Sequence, residues 1–224
     1  MRFHLAPAVA EKGLIGAYSL LKDFDISRAD PAAVTAYVDK AVARARGALA
    51  KIPVSDDPVL RGFHQLHLDF SVPTRKLHSA PETLLRYLEK RGDIPRIGPF
   101  VDLYNAVSIE TRLALGAHDL DHVEGDVSLR LTDGTEHFHP IGAPEPEAVR
   151  PGEYAYVDDA GDVICRLEVR QVEKTKVTAG TKSAFLIVQG NARTSPEFVR
   201  QGHDRLLSVL SGFFGGTVEP LYRP

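Results

Sequence analysis

Residues 94–131 read IPRIGPFVDLYNAVSIETRLALGAHDLDHVEGDVSLRL, and the periodicity of this stretch changes halfway along. From Gly98 to Leu115 the apolar residues recur at helical spacing, which predicts an amphipathic helix. After Gly116 the spacing falls to two, and apolar and polar residues alternate over 127–131 as in a half-buried strand. The stretch therefore predicts a helix that is followed by sheet.

The residues before this stretch favour further helices. Residues 31–50 carry apolar side chains at helical spacing, and residues 57–70 show a weaker pattern of the same kind. The sequence Ser-Ala-Pro-Glu at 79–82 has the spacing of a capping box, which predicts a helix that begins there and ends at Gly92.

The residues after this stretch favour strands and one last helix. Asp-Gly at 133–134 predicts a hairpin turn, and Asp-Asp-Ala-Gly at 158–161 predicts a second hairpin. Residues 185–188 predict a short apolar strand, and residues 197–210 return to helical spacing.

Helices followed by paired strands indicate an α+β fold, with N-terminal helices packed on a mainly antiparallel sheet. The chain of 224 residues is long enough for one such domain. We expect residues 1–55 to be an N-terminal strand-and-helix segment of the same domain as residues 56–224.

Composition excludes several classes of protein. With 30 acidic and 27 basic residues the net charge is −3, so we expect no DNA partner, and any RNA contact must come from a local basic cluster. Cys165 is the only cysteine, which excludes an intramolecular disulfide and a cysteine-based zinc site. Apolar runs are short and the N-terminus lacks a signal-peptide pattern, so we expect a soluble, cytoplasmic protein with no membrane partner. The candidate basic clusters are Arg44, Arg46 and Lys51, and Arg75 and Lys76.

Common catalytic and cofactor motifs are missing from the sequence. It contains no G-x-S-x-G elbow, no Walker A motif and no dinucleotide-binding glycine pattern, so we expect no cofactor. Cys165 lies in an apolar strand pattern, where a buried and unreactive thiol is expected.

The helix from Gly98 carries a polar stripe beside its apolar face. Its members recur every three or four residues: Asp102, Asn105, Ser108 and Arg112. Such a stripe is usually a solvated face. However, asparagine is a poor helix former whose amide can bind a ligand, so a pocket-facing Asn105 is an equal alternative.

Histidines offer a metal site as a competing interpretation. Four of them, with two neighbouring aspartates, have spacings that can bring ligands together: His118, His122, His137, His139, Asp119 and Asp121. These residues come from separate segments, and no H-E-x-x-H motif occurs. We therefore expect no metal, and keep a metal-dependent hydrolase only as a third alternative.

The stretch quoted above resembles the B3/4 domain of the phenylalanyl-tRNA synthetase β subunit. The resemblance extends over roughly residues 60–190 and includes PGEYAYVDD at 151–159 and CRLEVRQVEKTKVTAGT at 165–181. The residues that match the family signature in the quoted stretch are Arg96, Val101, Asp102, Asn105, Gly116, Asp119, Gly125 and Arg130.

The resemblance implies an editing activity. The synthetase domain hydrolyses tyrosine wrongly esterified to the phenylalanine tRNA, so a free-standing copy is expected to deacylate a mischarged aminoacyl-tRNA in trans. No catalytic triad is implied, because the pocket orients the ester for attack by water. Asn105 and His118 are the implied catalytic residues, with Asn105 and Gln189 orienting the aminoacyl group and His118 or Arg96 contacting the ester or the terminal adenosine. The implied substrate-binding residues are Arg96, Asp102, Tyr104, Arg130, Thr175, Thr181 and Gln189.

The sequence departs from the family at several of these positions. Tyr104 replaces a smaller threonine, Gln189 replaces the glutamate that reads the tyrosine hydroxyl, and Gly116 falls where the family has a histidine, with His118 two residues later. Gln171-Val172 replaces a diglycine, and no Thr-Asp-Ala segment follows Gln189. Specificity for tyrosine is therefore not implied.

A non-catalytic module that binds an amino acid, a small metabolite or RNA in the same pocket is the main alternative. Under that alternative the matched polar residues have structural roles, such as capping by Asp102 or an ion pair made by Arg130. The sequence leaves open which amino acid and tRNA are involved, and the oligomeric state.

Overall fold

The computed structural model describes residues 1–72 and 77–224, which form six α-helices and nine β-strands among them. The helices are α1 (Pro7–Ala10), α2 (Pro31–Leu49), α3 (Pro58–Asp69), α4 (Ala80–Arg91), α5 (Pro99–Thr111) and α6 (Pro196–Phe214). The strands are β1 (Phe3–Leu5), β2 (Ile15–Lys22), β3 (Ala114–Asp119), β4 (Val127–Leu131), β5 (Tyr154–Asp158), β6 (Val163–Arg166), β7 (Arg170–Gln171), β8 (Ala184–Gly190) and β9 (Thr217–Tyr222).

The strands form two sheets. The first has the order β1-β4-β5-β6-β7, and its only parallel pair within the described chain is β1 with β4. The second has the order β3-β8-β2-β9 and is antiparallel throughout. Helices and mainly antiparallel sheets confirm the predicted α+β class.

The second sheet is the middle layer of the molecule. In β8, Leu186 and Val188 pack into one apolar core with the helices, while Phe185 and Ile187 pack into another core with the first sheet. This alternation follows from the two-residue period of a strand, which sends neighbouring side chains to opposite faces. Burial on both faces also explains why β8 is a continuous apolar run rather than an alternating one.

Several elements agree with the sequence analysis. The helices predicted at 31–50, 57–70 and 79–92 are present, and Gly92 ends α4 in the left-handed conformation with φ of 80°. The hairpin predicted at 158–161 is also present, because β5 pairs with β6 and Gly161 has φ of 81°.

The helix predicted from Gly98 to Leu115 ends earlier, at Thr111. Arg112 takes the left-handed conformation with φ of 63°, and its backbone N–H donates to the carbonyl of Ser108. The chain then enters β3 at Ala114. Three polar residues, Glu110, Thr111 and Arg112, stand at this boundary, but apolar residues resume at Leu113, so the helical pattern could be continued to Leu115.

The predicted hairpin at 133–134 is wrong. The antiparallel partner of β4 is β5, which the chain reaches only after a long loop. Backbone hydrogen bonds join Thr132 to Glu153 and Gly152 at the base of this loop, at 2.8 Å each. Pairing therefore resumes at the far end of a proline-containing segment instead of directly after the Asp-Gly turn.

The helix at 79–92 is present, but the capping hydrogen bonds predicted from residues 79–82 are not formed. The Ser79 side chain makes no capping hydrogen bond, and its hydroxyl is buried without a partner. Glu82 instead pairs with Arg86 at 2.7 Å and with His78 at 3.0 Å. A charged partner one turn along the helix therefore replaces the reciprocal cap.

The N-terminal residues belong to both sheets. Residues 3–5 pair with β4, and β2 lies between β8 and β9 in the second sheet. Within the described ranges, no helix has both the length and the apolar character needed to cross a membrane.

Candidate functional site

A pocket of about 240 Å³ opens between the α4–α5 helix pair and the strands. Helices α4 and α5 form one wall, and β3, β7 and β8 form the opposite side. Most of the lining is apolar and includes Leu84, Val101, Leu115, Val169 and Ile187. Its polar lining residues include Tyr104, Asn105, Tyr156, Glu168, Gln171 and Gln189.

The polar stripe of α5 is buried rather than solvated. Asp102 accepts hydrogen bonds from the backbone N–H groups of Ile97 (2.7 Å) and Gly98 (3.2 Å), which caps the first turn of the helix. The Ser108 hydroxyl donates to a backbone carbonyl at 2.7 Å, and Arg112 forms an ion pair with a carboxylate at 3.1 Å. The interpretation of this stripe as a solvated face is therefore wrong.

Asn105 differs from the other members of the stripe. It is buried and lines the pocket, but its side chain makes no hydrogen bond to any residue of the described chain. A polar group that lines a pocket without a protein partner forms its hydrogen bonds with water or with a ligand. The Asn105 amide is therefore available to a bound molecule.

Two further polar side chains that line the pocket also lack a protein partner within the described chain. Among the residues described, the Tyr104 hydroxyl and the Gln171 amide have no hydrogen-bond partner, and both residues line the pocket. Burial raises the pKa of Tyr104, so its hydroxyl stays protonated and can donate. Gly116 makes room for Gln171, because a Cβ at this position would lie 2.8 Å from the Gln171 amide nitrogen.

We call the pocket floor the network formed by Gln189, Glu168, His67, Tyr154 and Tyr156. The Tyr156 hydroxyl donates to Gln189 Oε1 at 2.7 Å, and Gln189 Nε2 donates to Glu168 Oε2 at 3.2 Å. Glu168 Oε1 accepts from His67 Nε2 at 2.6 Å, and Glu168 Oε2 also accepts from the Tyr154 hydroxyl. The floor therefore satisfies most of its own polar groups.

The floor contains a buried ion pair. Burial disfavours the charged form of His67, but attraction to the Glu168 carboxylate and the hydrogen bond between them outweigh burial and raise the pKa of His67. Burial likewise opposes ionisation of Glu168, but His67 and Tyr154 lower the pKa of Glu168 below its ordinary value. The two charges therefore neutralise each other beneath the pocket.

The structure places the predicted residues in separate groups. Tyr104, Asn105 and Gln189 line the pocket together. His118 lies further along β3, fully buried, with its Nδ1 atom 2.8 Å from the Thr175 hydroxyl, and neither residue lines the pocket. Thr181 donates to the Asp119 carboxylate at 2.6 Å on the same side of the domain.

The two predicted arginines are engaged in ion pairs away from the pocket. Arg96 contacts Asp39 at 2.8 Å and Asp93 at 3.0 Å, while Arg130 contacts Glu136 at 2.6 Å. Neither arginine lines the pocket. For Arg130 this is the structural role that the sequence allowed as an alternative.

The candidate basic clusters have different surroundings. Arg44 pairs with Glu110, whereas Arg46 and Lys51 are exposed at the C-terminal end of α2. Arg75 and Lys76 lie outside the described residues.

Across residues 1–72 and 77–224, no group of three or more histidine, cysteine, aspartate or glutamate side chains could hold a metal ion. His122 and His139 are exposed, and His137 lies 3.4 Å from Asp162 alone. Cys165 is buried at the pocket, its thiol donates to the Leu167 carbonyl, and burial raises its pKa. This thiol is therefore a poor nucleophile.

The sequence did not predict the ion pair of the floor, although Glu168 lies inside the segment 165–181 that carries the family resemblance. The two residues are 101 positions apart, so no local spacing links them. The available signal was the strand pattern around Glu168, which predicts a carboxylate in a mostly apolar segment.

Fold and site together define a class: an α+β domain with a small, mainly apolar pocket whose polar lining includes Tyr104, Asn105 and Gln189. The chain belongs to the B3/4 domain family, whose sequence model matches residues 73–215. A curated relative is the "Phenylalanine--tRNA ligase beta subunit" of Tropheryma whipplei (strain Twist), which is 27% identical over 144 residues. That match covers 64% of this chain and only 15% of the relative.

A solved structure shares the fold over nearly the whole chain. It is an N-terminal fragment of the phenylalanyl-tRNA synthetase β subunit from Pyrococcus horikoshii, with a TM-score of 0.53 and 15% sequence identity. The match covers 97% of this chain and 50% of that one. The chain is therefore a module related to one part of a tRNA synthetase subunit.

Proposed function

We propose that this protein is a trans-editing deacylase, which hydrolyses the ester bond of a mischarged aminoacyl-tRNA. The observation that supports this proposal is the Asn105 amide, which has no hydrogen-bond partner among the residues described and lines a pocket of about 240 Å³. Its relationship to a tRNA synthetase subunit gives the kind of substrate.

The chemistry requires orientation rather than a protein nucleophile. A water molecule attacks the ester carbonyl carbon, and the bond to the ribose oxygen breaks, so that the terminal ribose regains its hydroxyl and the amino acid leaves as a carboxylate. The amide N–H of Asn105 is the group that would stabilise the developing oxyanion. The protonated Tyr104 hydroxyl is a second donor on the same wall.

Binding of the tRNA requires contacts to its phosphates. The exposed Arg46 and Lys51 are candidates for these contacts, because a phosphate clamp needs cations that are free of carboxylate partners. Because each phosphate contact releases counterions from the RNA, binding through these residues is expected to weaken as the salt concentration rises.

The test is to incubate the purified protein with a panel of correctly and incorrectly charged tRNAs and to follow ester loss. We expect selective deacylation of one mischarged species, lost in Asn105→Ala by about 100-fold, as for removal of an oxyanion donor. Thr111→Ala, on the same helix but outside the pocket lining, is the matched control and should keep full activity.

A second candidate function is a non-catalytic binding module. The observation that favours it is the lack of a free general base among the described lining residues, because the Glu168 carboxylate is already paired with His67. Salt-insensitive binding of free amino acids, with no deacylation of any tRNA, would support this function over editing.

A further inference from the structure

We propose that the His67–Glu168 ion pair is a positioning device that fixes the orientation of the Gln189 amide, so that the pocket floor donates a hydrogen bond to an uncharged oxygen of the acyl group. This inference rests on the proposed function only in taking the ligand to be an acyl group. It concerns His67 and Glu168, to which neither the family signature nor the sequence pattern gave a role.

The first step concerns the amide of Gln189. Its Oε1 accepts from Tyr156 at 2.7 Å, and its Nε2 faces Glu168 Oε2 at 3.2 Å. An ionised carboxylate can only accept hydrogen bonds, so the NH₂ end of the amide must point toward Glu168. One N–H is used there. Gln189 is buried and lines the pocket, and we assign its second N–H to a bound ligand.

The second step concerns what holds Glu168 ionised. His67 and Glu168 are almost fully buried, with side chains 1% and 3% exposed, and their contact at 2.6 Å is short even for a charge-assisted hydrogen bond. Tyr154 donates to the second oxygen. Three donors of the protein therefore occupy the carboxylate, and little acceptor capacity is left for a ligand.

The third step gives the class of ligand. A floor whose carboxylate is neutralised and occupied does not attract a cationic side chain. Its remaining group is an amide N–H, which pairs with a hydroxyl or carbonyl oxygen. The floor therefore favours an uncharged side chain that carries an oxygen acceptor, or an apolar side chain, over lysine- or arginine-like groups.

The charged groups around the pair define its pH window. His67 faces Glu168 and also senses Glu82 and Glu153, while Glu168 faces Tyr154 and the thiol of Cys165. The ion pair persists above the lowered pKa of Glu168 and below the raised pKa of His67. Outside this window one charge disappears, and the orientation of Gln189 is no longer imposed.

The experiment combines a structural readout with a binding readout. Side-chain NMR of the full-length protein follows the His67 ring and the Gln189 NH₂ group across the pH range, in the wild type and in Glu168→Gln. We expect the Gln189 resonances to shift together with the titration of His67. In Glu168→Gln the pKa of His67 should fall below its wild-type value, and that coupling should be lost.

Binding is measured with a non-hydrolysable acyl-adenosine carrying an uncharged side chain. We expect Glu168→Gln to weaken binding about tenfold, the effect of one misplaced hydrogen bond, with preference over a lysyl analogue reduced. His64→Gln, an exposed histidine one turn earlier on α3, is the matched control and should leave both readouts unchanged.

Two results would overturn the proposal. One is that the Gln189 resonances do not shift as His67 titrates, and the other is that Glu168→Gln has the selectivity of the wild type. These are distinct from failure of the proposed function. A wild-type protein that deacylates no tRNA but shows the NMR coupling would refute editing and leave the positioning role intact. The NMR readout in the wild type also decides the matter if Glu168→Gln does not fold.

Discussion

The floor of the pocket differs from its wall, formed by Tyr104 and Asn105 of α5, in whether the polar side chains have hydrogen-bond partners. In the floor, Glu168, His67 and Gln189 use one another as partners. In the wall, Asn105 and Tyr104 line the same pocket without a hydrogen-bond partner among the residues described. Polar groups that satisfy each other stabilise the fold, whereas groups left without partners are available for binding. The difference separates residues whose loss should mainly destabilise the fold from residues whose loss should mainly affect binding.

The largest effect is expected in the floor. Glu168→Ala removes the acceptor of three hydrogen bonds and leaves His67 buried without its counter-charge, which should cost about 3–5 kcal/mol in the free energy of unfolding. Denaturant unfolding of the variant measures this directly. A cost near zero would contradict the assignment of an ion pair.

The next largest effect is expected at His118. Its Nδ1 atom contacts the Thr175 hydroxyl, and its Nε2 atom has no hydrogen-bond partner among the residues described. Burial lowers its pKa to about 3, so the folded protein keeps it neutral while the unfolded chain protonates it near pH 6.5. Its contribution to stability is therefore complete above pH 6.5 and declines as the pH falls toward 3. Between pH 7 and pH 5 the decline should be about 2 kcal/mol.

Unfolding of His118→Gln at both pH values isolates this contribution. The variant should lose about 2 kcal/mol less than the wild type over the same interval. His67 acts with the opposite sign, because its raised pKa makes its contribution decline as the pH rises above 6.5. Equal pH dependence in the variant and the wild type would show that His118 is not buried as a neutral group.

A smaller effect is expected at the capped end of α5. Asp102→Ala leaves the backbone N–H groups of Ile97 and Gly98 without their acceptor, and should cost about 1 kcal/mol, as other helix caps do. Asp102→Asn keeps a side-chain oxygen and should cost less. Thermal unfolding of the two variants compares them.

The smallest effect on stability is expected in the wall. Asn105→Ala removes no hydrogen bond seen in the described chain, so the free energy of unfolding should change by less than about 0.5 kcal/mol. The same variant is expected to lose deacylation, whereas Asp102→Ala is expected to lose stability. A large destabilisation of Asn105→Ala would place this residue with the floor instead.

The sequence predicted the parts of the fold that depend on local patterns. Helix α2 and the hairpin at Gly161 follow from periodicity and turn chemistry within about 20 residues. The predicted hairpin at 133–134 failed because the turn signal is local, whereas the pairing of β4 with β5 depends on residues beyond a long loop. The end of α5 was not predicted because apolar residues resume at Leu113, directly after the polar residues Glu110 to Arg112.

The candidate site was predictable only where one segment supplies it. Tyr104 and Asn105 lie on the same helix, and the resemblance to a known family added Gln189. The pair of His67 and Glu168 joins α3 to the segment between β6 and β7, and only the folded chain brings them to 2.6 Å. The sequence also did not predict the burial of His118, which follows from the burial of every residue of β3.

The placement of β2 also determines how this module can be moved between polypeptides. The family match begins at residue 73, but β2 at Ile15–Lys22 lies inside the second sheet, hydrogen-bonded to β8 on one side and β9 on the other. A segment cut to the matched bounds would lose an inner strand and expose the apolar edge of β8. A portable unit must therefore carry the first 22 residues, whatever protein it is grafted into.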